Sequence, residues 1–393
     1  MADTWQQEGR ARFEVGDAFF RSSSRIGRDL GVLAAIVYKQ LHPSLRVLDA
    51  MTGCGVRPLR YGLEANADYV WANEGNWDLH NLLQANLSNS LRCDRYRITH
   101  QDANALFFDC HQRQDFYDLI DIDSFGSPMP TLATSLWAIK LGGLLYLTST
   151  DGRATSGHAP KKSLQTYSAY ARNHPAVHEQ GLRLLIALSM QQAAARGLSA
   201  YPVFSWYHGE VNRVMMRISR GDKNRPSQSK LTQDNYGFLS YCHSCGQFQT
   251  VSWKKLGRPA SCQCQSKTSP VLSGPLWLGP LHCSQELATM QQAAATLQVQ
   301  DERERANWQQ IQTLLTIMRA ESSLPPYYYP LAEIGKRGKI DIPPRDLLIQ
   351  SINQAGFVAT RTHLDSQAIK TTASLLACIE LARQVSHSRC SPE

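Results

Sequence analysis

VLDAMTGCGVR, residues Val47 to Arg57, reads as an apolar strand, an acid at its end, a glycine-bearing turn and the start of a helix. Gly53 and Gly55 let the backbone adopt positive φ or approach a ligand closely. A dinucleotide-binding turn would continue as G-x-G-x-x-G. Here no third glycine follows, and the acid Asp49 closes the strand instead. That arrangement suits a ligand built from a nucleoside and an amino acid better than a pyrophosphate.

Outward from this turn, short strands alternate with helical patterns. LRVLDA (Leu45 to Ala50), YVWANE (Tyr69 to Glu74), YRITHQD (Tyr96 to Asp102), FYDLIDID (Phe116 to Asp123) and GGLLYLTST (Gly142 to Thr150) read as strands. Leu79 to Leu91 and Thr131 to Leu141 carry helical spacing. Such alternation predicts an α/β fold, a parallel sheet with helices on both faces. LSAYPVFSWY and NRVMMRIS read as a closing antiparallel pair.

Acids end the successive strands. Asn73–Glu74 ends the second, and a carboxylate there can accept both ribose hydroxyl hydrogens. Asp102–Ala103 follows the third; a carboxylate beside an apolar residue can accept from an adenine amino group. The plainer reading makes these acids helix caps, but three in succession after a Gly-x-Gly turn favour a cofactor. The fourth strand ends DIDSFGSP (Asp121 to Pro128). An exocyclic base amine is a poor nucleophile because its lone pair is delocalised into the ring. Asp123 and the Ser124 carbonyl can accept its two N–H groups and localise that pair, leaving mainly positioning to be done. Phe125 can stack on a base swung out of its helix. An ordinary strand-end acid with a core phenylalanine is the alternative.

Elsewhere, YCHSC and SCQC supply Cys242, Cys245, Cys262 and Cys264 as a C-x2-C and a C-x-C pair. Four thiolates suit a tetrahedral, structural Zn²⁺ with no open position. Lys254, Lys255 and Arg258 between the pairs fit phosphate contact or a solvated face. Gly221 to Lys230 is polar and aperiodic and marks a boundary. Cys283 to Arg319 reads as one long helical stretch, and the tail from Asp346 as helix, strand, helix. Arg319, Lys336, Arg337, Lys339 and Arg345 flank the Tyr-rich PPYYYP and fit RNA contact; a tyrosine core is the alternative. A net charge of +8 suits a polyanionic partner. No apolar run reaches the ~18 residues of a membrane span, and the polar N-terminus lacks a secretory signal. A cytoplasmic monomer is expected, with no membrane partner.

These segments together resemble the tRNA (guanine-26-N2)-dimethyltransferase family across most of the chain. Gly27–Arg28–Asp29–Leu30, LDAMTGCGVR, ANE, Asp102–Ala103–Asn104, Asp123 to Pro128, GGLLYLTSTDG, GPLWLGPLH and THLDSQAIKT carry the likeness. Four departures stand out: Phe19–Phe20–Arg21–Ser22 for the family's Phe-Tyr-Asn-Pro, Gly27 for asparagine, Glu74 for aspartate, and Ser124 for proline. The family's second cysteine pair is often C-x2-C. The resemblance implies a Rossmann-like class I methyltransferase domain over residues 1–222, a zinc-binding segment over 223–275 and a smaller α+β tRNA-binding domain over 276–393. It implies S-adenosylmethionine as methyl donor and the N2 of guanine-26 in tRNA as target. Arg28 and Arg57 would contact the methionine part of the cofactor, near Asp49. Glu74, Asp102 and Ala103 would hold its adenosine. Asp123 would be the catalytic acceptor, with Phe19 and Phe125 flanking the guanine. His363 and Lys370 fall in a family segment but acquire no role from their residue types. A different amino methyltransferase would show an Asn/Asp-Pro-Pro-aromatic motif, which DSFG is not. A non-catalytic zinc-containing RNA-binding protein would not need acids at four strand ends.

Overall fold

The computed structural model describes residues 5–220, 230–256, 262, 264, 269–297 and 301–390. Its centre is a seven-stranded sheet, with strands numbered here within it. They are β1 (Arg46–Asp49), β2 (Tyr69–Asn73), β3 (Tyr96–Thr99), β4 (Tyr117–Asp123), β5 (Ile139–Ser149), β6 (Ser199–His208) and β7 (Val211–Ser219). Their spatial order is β3-β2-β1-β4-β5-β7-β6. The first five run parallel and β7 and β6 close the sheet antiparallel, as the sequence predicts. Val47, Leu48, Leu119, Ile120 and Ile122 are fully buried, because helices cover both faces of a parallel sheet. The strand order reverses between β1 and β4, where Asp49 lies opposite Asp121. The crevice at such a switch point is where α/β sheets bind ligands.

Three local expectations change. The helical pattern at Thr131–Leu141 is a short helix, Met129–Ser135, and the chain joins β5 already at Ile139. Ile139 pairs with Tyr117 of β4, and a register shift follows before Leu119–Leu144. Long-range pairing here outweighs the helical period. The stretch from Cys283 divides into two helices, Ser284–Thr296 and Glu302–Glu321. Asp301 starts the second by accepting from the Arg303 and Glu304 amides, an N-cap that interrupts an otherwise continuous pattern. The tail contains two strands, Ala359–Arg361 and Ala368–Thr371, rather than one; the latter also pairs with Tyr329–Pro330.

The core does not respect the sequence divisions. Leu287, Met290, Trp308 and Ile311 pack in one cluster with the helix Arg25–Leu41. A second cluster runs from Leu48 and Leu147 through Tyr241 and Trp277 to Ile369 and Ile379. Tyr328 and Tyr329 are buried in it, and Tyr327 packs at its edge. The Tyr-rich turn is therefore core, not an RNA-facing surface. No helix among the described residues is long and apolar enough to cross a membrane.

Candidate active site and metal centre

The glycine turn after β1 takes the conformation its sequence requires. Gly53 and Gly55 have φ of +57° and +83°, and Gly55 opens the helix Val56–Leu63. A Cβ at Gly53 would meet nothing nearer than the Phe19 carbonyl oxygen at 3.5 Å, so the turn leaves an open cradle. Glu74 reaches back across it. Its Oε2 accepts from the Gly53 amide at 2.8 Å and its Oε1 from the Asn76 amide at 3.0 Å. Asp102 caps the helix Ala103–Gln112 by accepting from the Asn104 and Ala105 amides, so the capping reading holds there; Ala103 beside it is buried.

Below the cradle lie two adjacent buried carboxyls. Burial and the charge of Asp121 push the Asp49 carboxyl up to about 7. Asp49 Oδ2 and Asp121 Oδ1 have no hydrogen-bond partner. Unpartnered carboxyl oxygens beneath a glycine turn form a donor set for a cation carrying its own nonpolar bulk. The sulfonium and ammonium of S-adenosylmethionine fit that set.

Asp123, two residues on, points to the mouth with its side chain 23% exposed. It pairs with Arg57 Nη2 and, at 3.4 Å, with Arg213 Nη2; Arg57 Nε also lies 3.4 Å from Asp121. Arg213 sits on β7, donates to Thr148 Oγ1 at 2.7 Å and is almost wholly buried. Sequence reading overlooked it. The available signal was an arginine inside the apolar run VNRVMM, since a charge in such a strand needs a buried partner. Gly27 makes room for it: a Cβ there would lie 2.7 Å from Arg213 Cδ. The turn after Asp123 lacks the family's proline but is stapled at Gly126. Its amide donates to Thr150 Oγ1 and its carbonyl accepts from the Thr150 amide, both at 2.7 Å.

Phe19 and Phe125 are 60% and 76% exposed. Their rings touch edge-to-face, with centroids 5.0 Å apart. Large exposed aromatics beside a buried polar site are unusual in a free-standing surface. Arg28 is held from the side: its Nε and Nη2 donate to Glu8 at 2.7 and 2.6 Å.

The family profile for N2,N2-dimethylguanosine tRNA methyltransferase matches residues 7–383. The chain belongs to this family. A tRNA (guanine(26)-N(2))-dimethyltransferase of Pyrococcus horikoshii is 28% identical over 96% of this chain and 98% of its own. A tRNA (guanine(26)-N(2)/guanine(27)-N(2))-dimethyltransferase of Aquifex aeolicus is 27% identical over 91% and 87%. The solved structure of Trm1 from Pyrococcus horikoshii with S-adenosyl-L-methionine superposes with a TM-score of 0.81 at 27% identity, covering 96% of this chain and 99% of that one. The α/β sheet expected from the strand pattern, and the methyltransferase fold expected from the resemblance, are those of that family member.

The four cysteines converge as their pairing predicts. Their Sγ atoms all lie within 4.8 Å of one another, with Cys242–Cys264 at 3.7 Å and Cys245–Cys262 at 3.1 Å. A tetrahedron of 2.3 Å Zn–S bonds has edges of about 3.8 Å, so the set fits Zn²⁺. Arg337, a candidate RNA contact by sequence, instead clamps this knuckle by donating to the His243 and Ser244 carbonyls. Arg258 lies outside the described residues.

His363 and Lys370 acquire a place that residue types alone could not give. Glu321, fully buried, lies against His363 Nδ1 and 3.4 Å from His282 Nε2. Lys370 Nζ meets Glu179 Oε1 at 2.6 Å, and Arg183 pairs with the same carboxylate. The trio resembles a metal site, but the Ser205 amide donates to His282 Nδ1 at 3.1 Å. The neutral ring then carries its proton on Nε2, facing Glu321, and offers no lone pair to a metal there. Burial lowers His282 to about 4, which keeps it neutral. The network is an electrostatic lock between the helix Val177–Ala195 and the C-terminal segment.

Proposed function

We propose that this protein transfers methyl groups from S-adenosylmethionine to the exocyclic N2 of guanine-26 in tRNA, giving N2-methyl- and N2,N2-dimethylguanosine. The carrying observation is Asp123: a partly open carboxylate oriented by two guanidinium groups, beside two exposed phenylalanines and above two buried acids that each keep one unpartnered oxygen. The cofactor supplies an electrophilic methyl group on a sulfonium. Asp49 and the Gly53–Gly55 turn would receive it, with Glu74 turning toward the ribose and Asp102 and Ala103 bordering the adenine. Arg57 and Arg28 would border the methionine end. Phe19 and Phe125 would part to hold the flipped guanine by stacking. Asp123 would accept one N–H of N2 and the Ser124 carbonyl the other. That arrangement localises the lone pair and offsets the positive charge that develops on nitrogen. The Gly126–Thr150 staple supports the rigidity that proline confers elsewhere in the family. The protein acts on this reading as a cytoplasmic monomer, with tRNA contacts in the C-terminal segment, 276–393.

Tritiated cofactor and a tRNA transcript test the assignment. Label should enter the wild-type transcript and not one with adenine at position 26; equal labelling refutes the target. We infer also that the cysteine cluster holds one structural Zn²⁺ per chain. Metal analysis should find it, and Cys242→Ser should lower zinc content and folding yield together; a metal-free, folded, active preparation excludes it.

A further inference from the structure

Beside the catalytic turn lies a cavity of about 620 Å³ that the proposed reaction does not use. Two of its walls are one residue from the site. Thr150 lines it and is the residue that staples Gly126. Asn212 lines it and immediately precedes Arg213 on β7. The interior offers three distinct kinds of contact. His178 and Tyr207 form a stacked pair, centroids 4.1 Å apart and planes within 18°. Asn212 is 2% exposed, and its Oδ1 has no hydrogen-bond partner. Lys162 and Asp151 pair at 2.9 Å, with the lysine end half exposed, and His158 stands exposed at the rim.

We propose that this cavity receives the nucleotide adjoining the target guanine in the tRNA strand. The inference rests on the tRNA reading above. Flipping one base unstacks its neighbours, and an unstacked base is captured by an aromatic face and read along its hydrogen-bonding edge. The His178–Tyr207 stack supplies the face, extended by one more ring. Asn212 closes the back wall with its Oδ1 packed toward Gly181, which leaves the aromatic face to hold the base. Lys162 and His158 at the rim suit the intervening phosphate, whose charge the Asp151–Lys162 pair alone does not match. The Thr150 wall lies one hydrogen bond from the turn that follows Asp123, a closeness that suits a neighbouring position on the strand. A free mononucleotide would use the same contacts, so the test uses position in the chain to tell them apart.

The experiment is a coupling cycle between protein and RNA. Transcripts keep guanine-26 and carry an abasic site at position 25 or at 27. With wild-type protein, one of the two should raise KM about tenfold, the scale of one lost base–aromatic stack. Tyr207→Leu should raise KM for the intact transcript by a similar factor and be indifferent to that abasic site, with cofactor affinity unchanged. Tyr207→Phe, which keeps the ring, should restore the wild-type value. Should Tyr207→Leu fail to fold, His178→Leu, which removes the other ring of the stack, should show the same loss of sensitivity to the abasic site. Additive penalties, or a wild-type protein indifferent to both abasic sites, overturn the inference while leaving methyl transfer to guanine-26 intact. No transfer to the intact transcript overturns the underlying reading as well.

Discussion

Two buried charge networks divide this molecule. At the sheet's switch point Asp49, Asp121 and Asp123 face Arg57 and Arg213, and the network opens at Asp123 onto exposed Phe19 and Phe125. Behind the sheet Glu179, Arg183, Lys370, Glu321, His282 and His363 form a second network whose paired side chains are at most 1% exposed. Both contain unpartnered polar atoms. What separates them is access. Charges that open on a mouth are available to a substrate; charges sealed on all sides can only hold segments together, because removing one partner strands the other.

The comparison can be broken from either side. Glu321→Ala should lower unfolding stability in urea by about 3–5 kcal/mol, the usual cost of orphaning a buried ionic partner. Turnover per folded molecule should stay near wild type; a loss of turnover at unchanged stability would make the sealed network functional. Asp123→Ala should do the reverse. Its kcat should fall by ~10²-fold or more, the effect of removing one transition-state electrostatic contact. Its tRNA affinity should hold, since phosphate contacts dominate binding. Near-wild-type turnover would assign the acceptor role to another residue.

The smallest effect is a pH dependence. Free Asp49 keeps its proton up to about pH 7, and a cationic cofactor favours the ionised form, so binding expels that proton. Affinity for S-adenosylmethionine should therefore rise with pH toward 7, at most tenfold per unit, and level off above it. In the unliganded protein the sign is opposite for stability. A carboxyl raised in the fold stabilises it below about pH 4, and that contribution declines as pH climbs to 7. Isothermal titration of Asp49→Asn should give a flatter binding profile; an unchanged slope would move the titration elsewhere.

The amino-acid sequence alone determined the sheet, the glycine turn, the strand-end acids and the cysteine pairs. Each of these is a local pattern: short apolar runs alternating with helical spacing, a positive φ, an acid after an apolar run, thiols at ligand spacing. The tertiary structure alone decided that Arg213 completes the Asp123 site, because β7 lies ninety residues away and arrives beside β5 only through sheet pairing. It also decided that β5 begins at Ile139 and that Tyr328 and Tyr329 are core. It placed His363 beside Glu321 and directed Arg337 to the cysteine knuckle rather than to RNA. A side chain's type fixes what it can bond to. Only the long-range packing that removes it from water fixes which partner it must take, since a buried charge left without one costs far more than an exposed one.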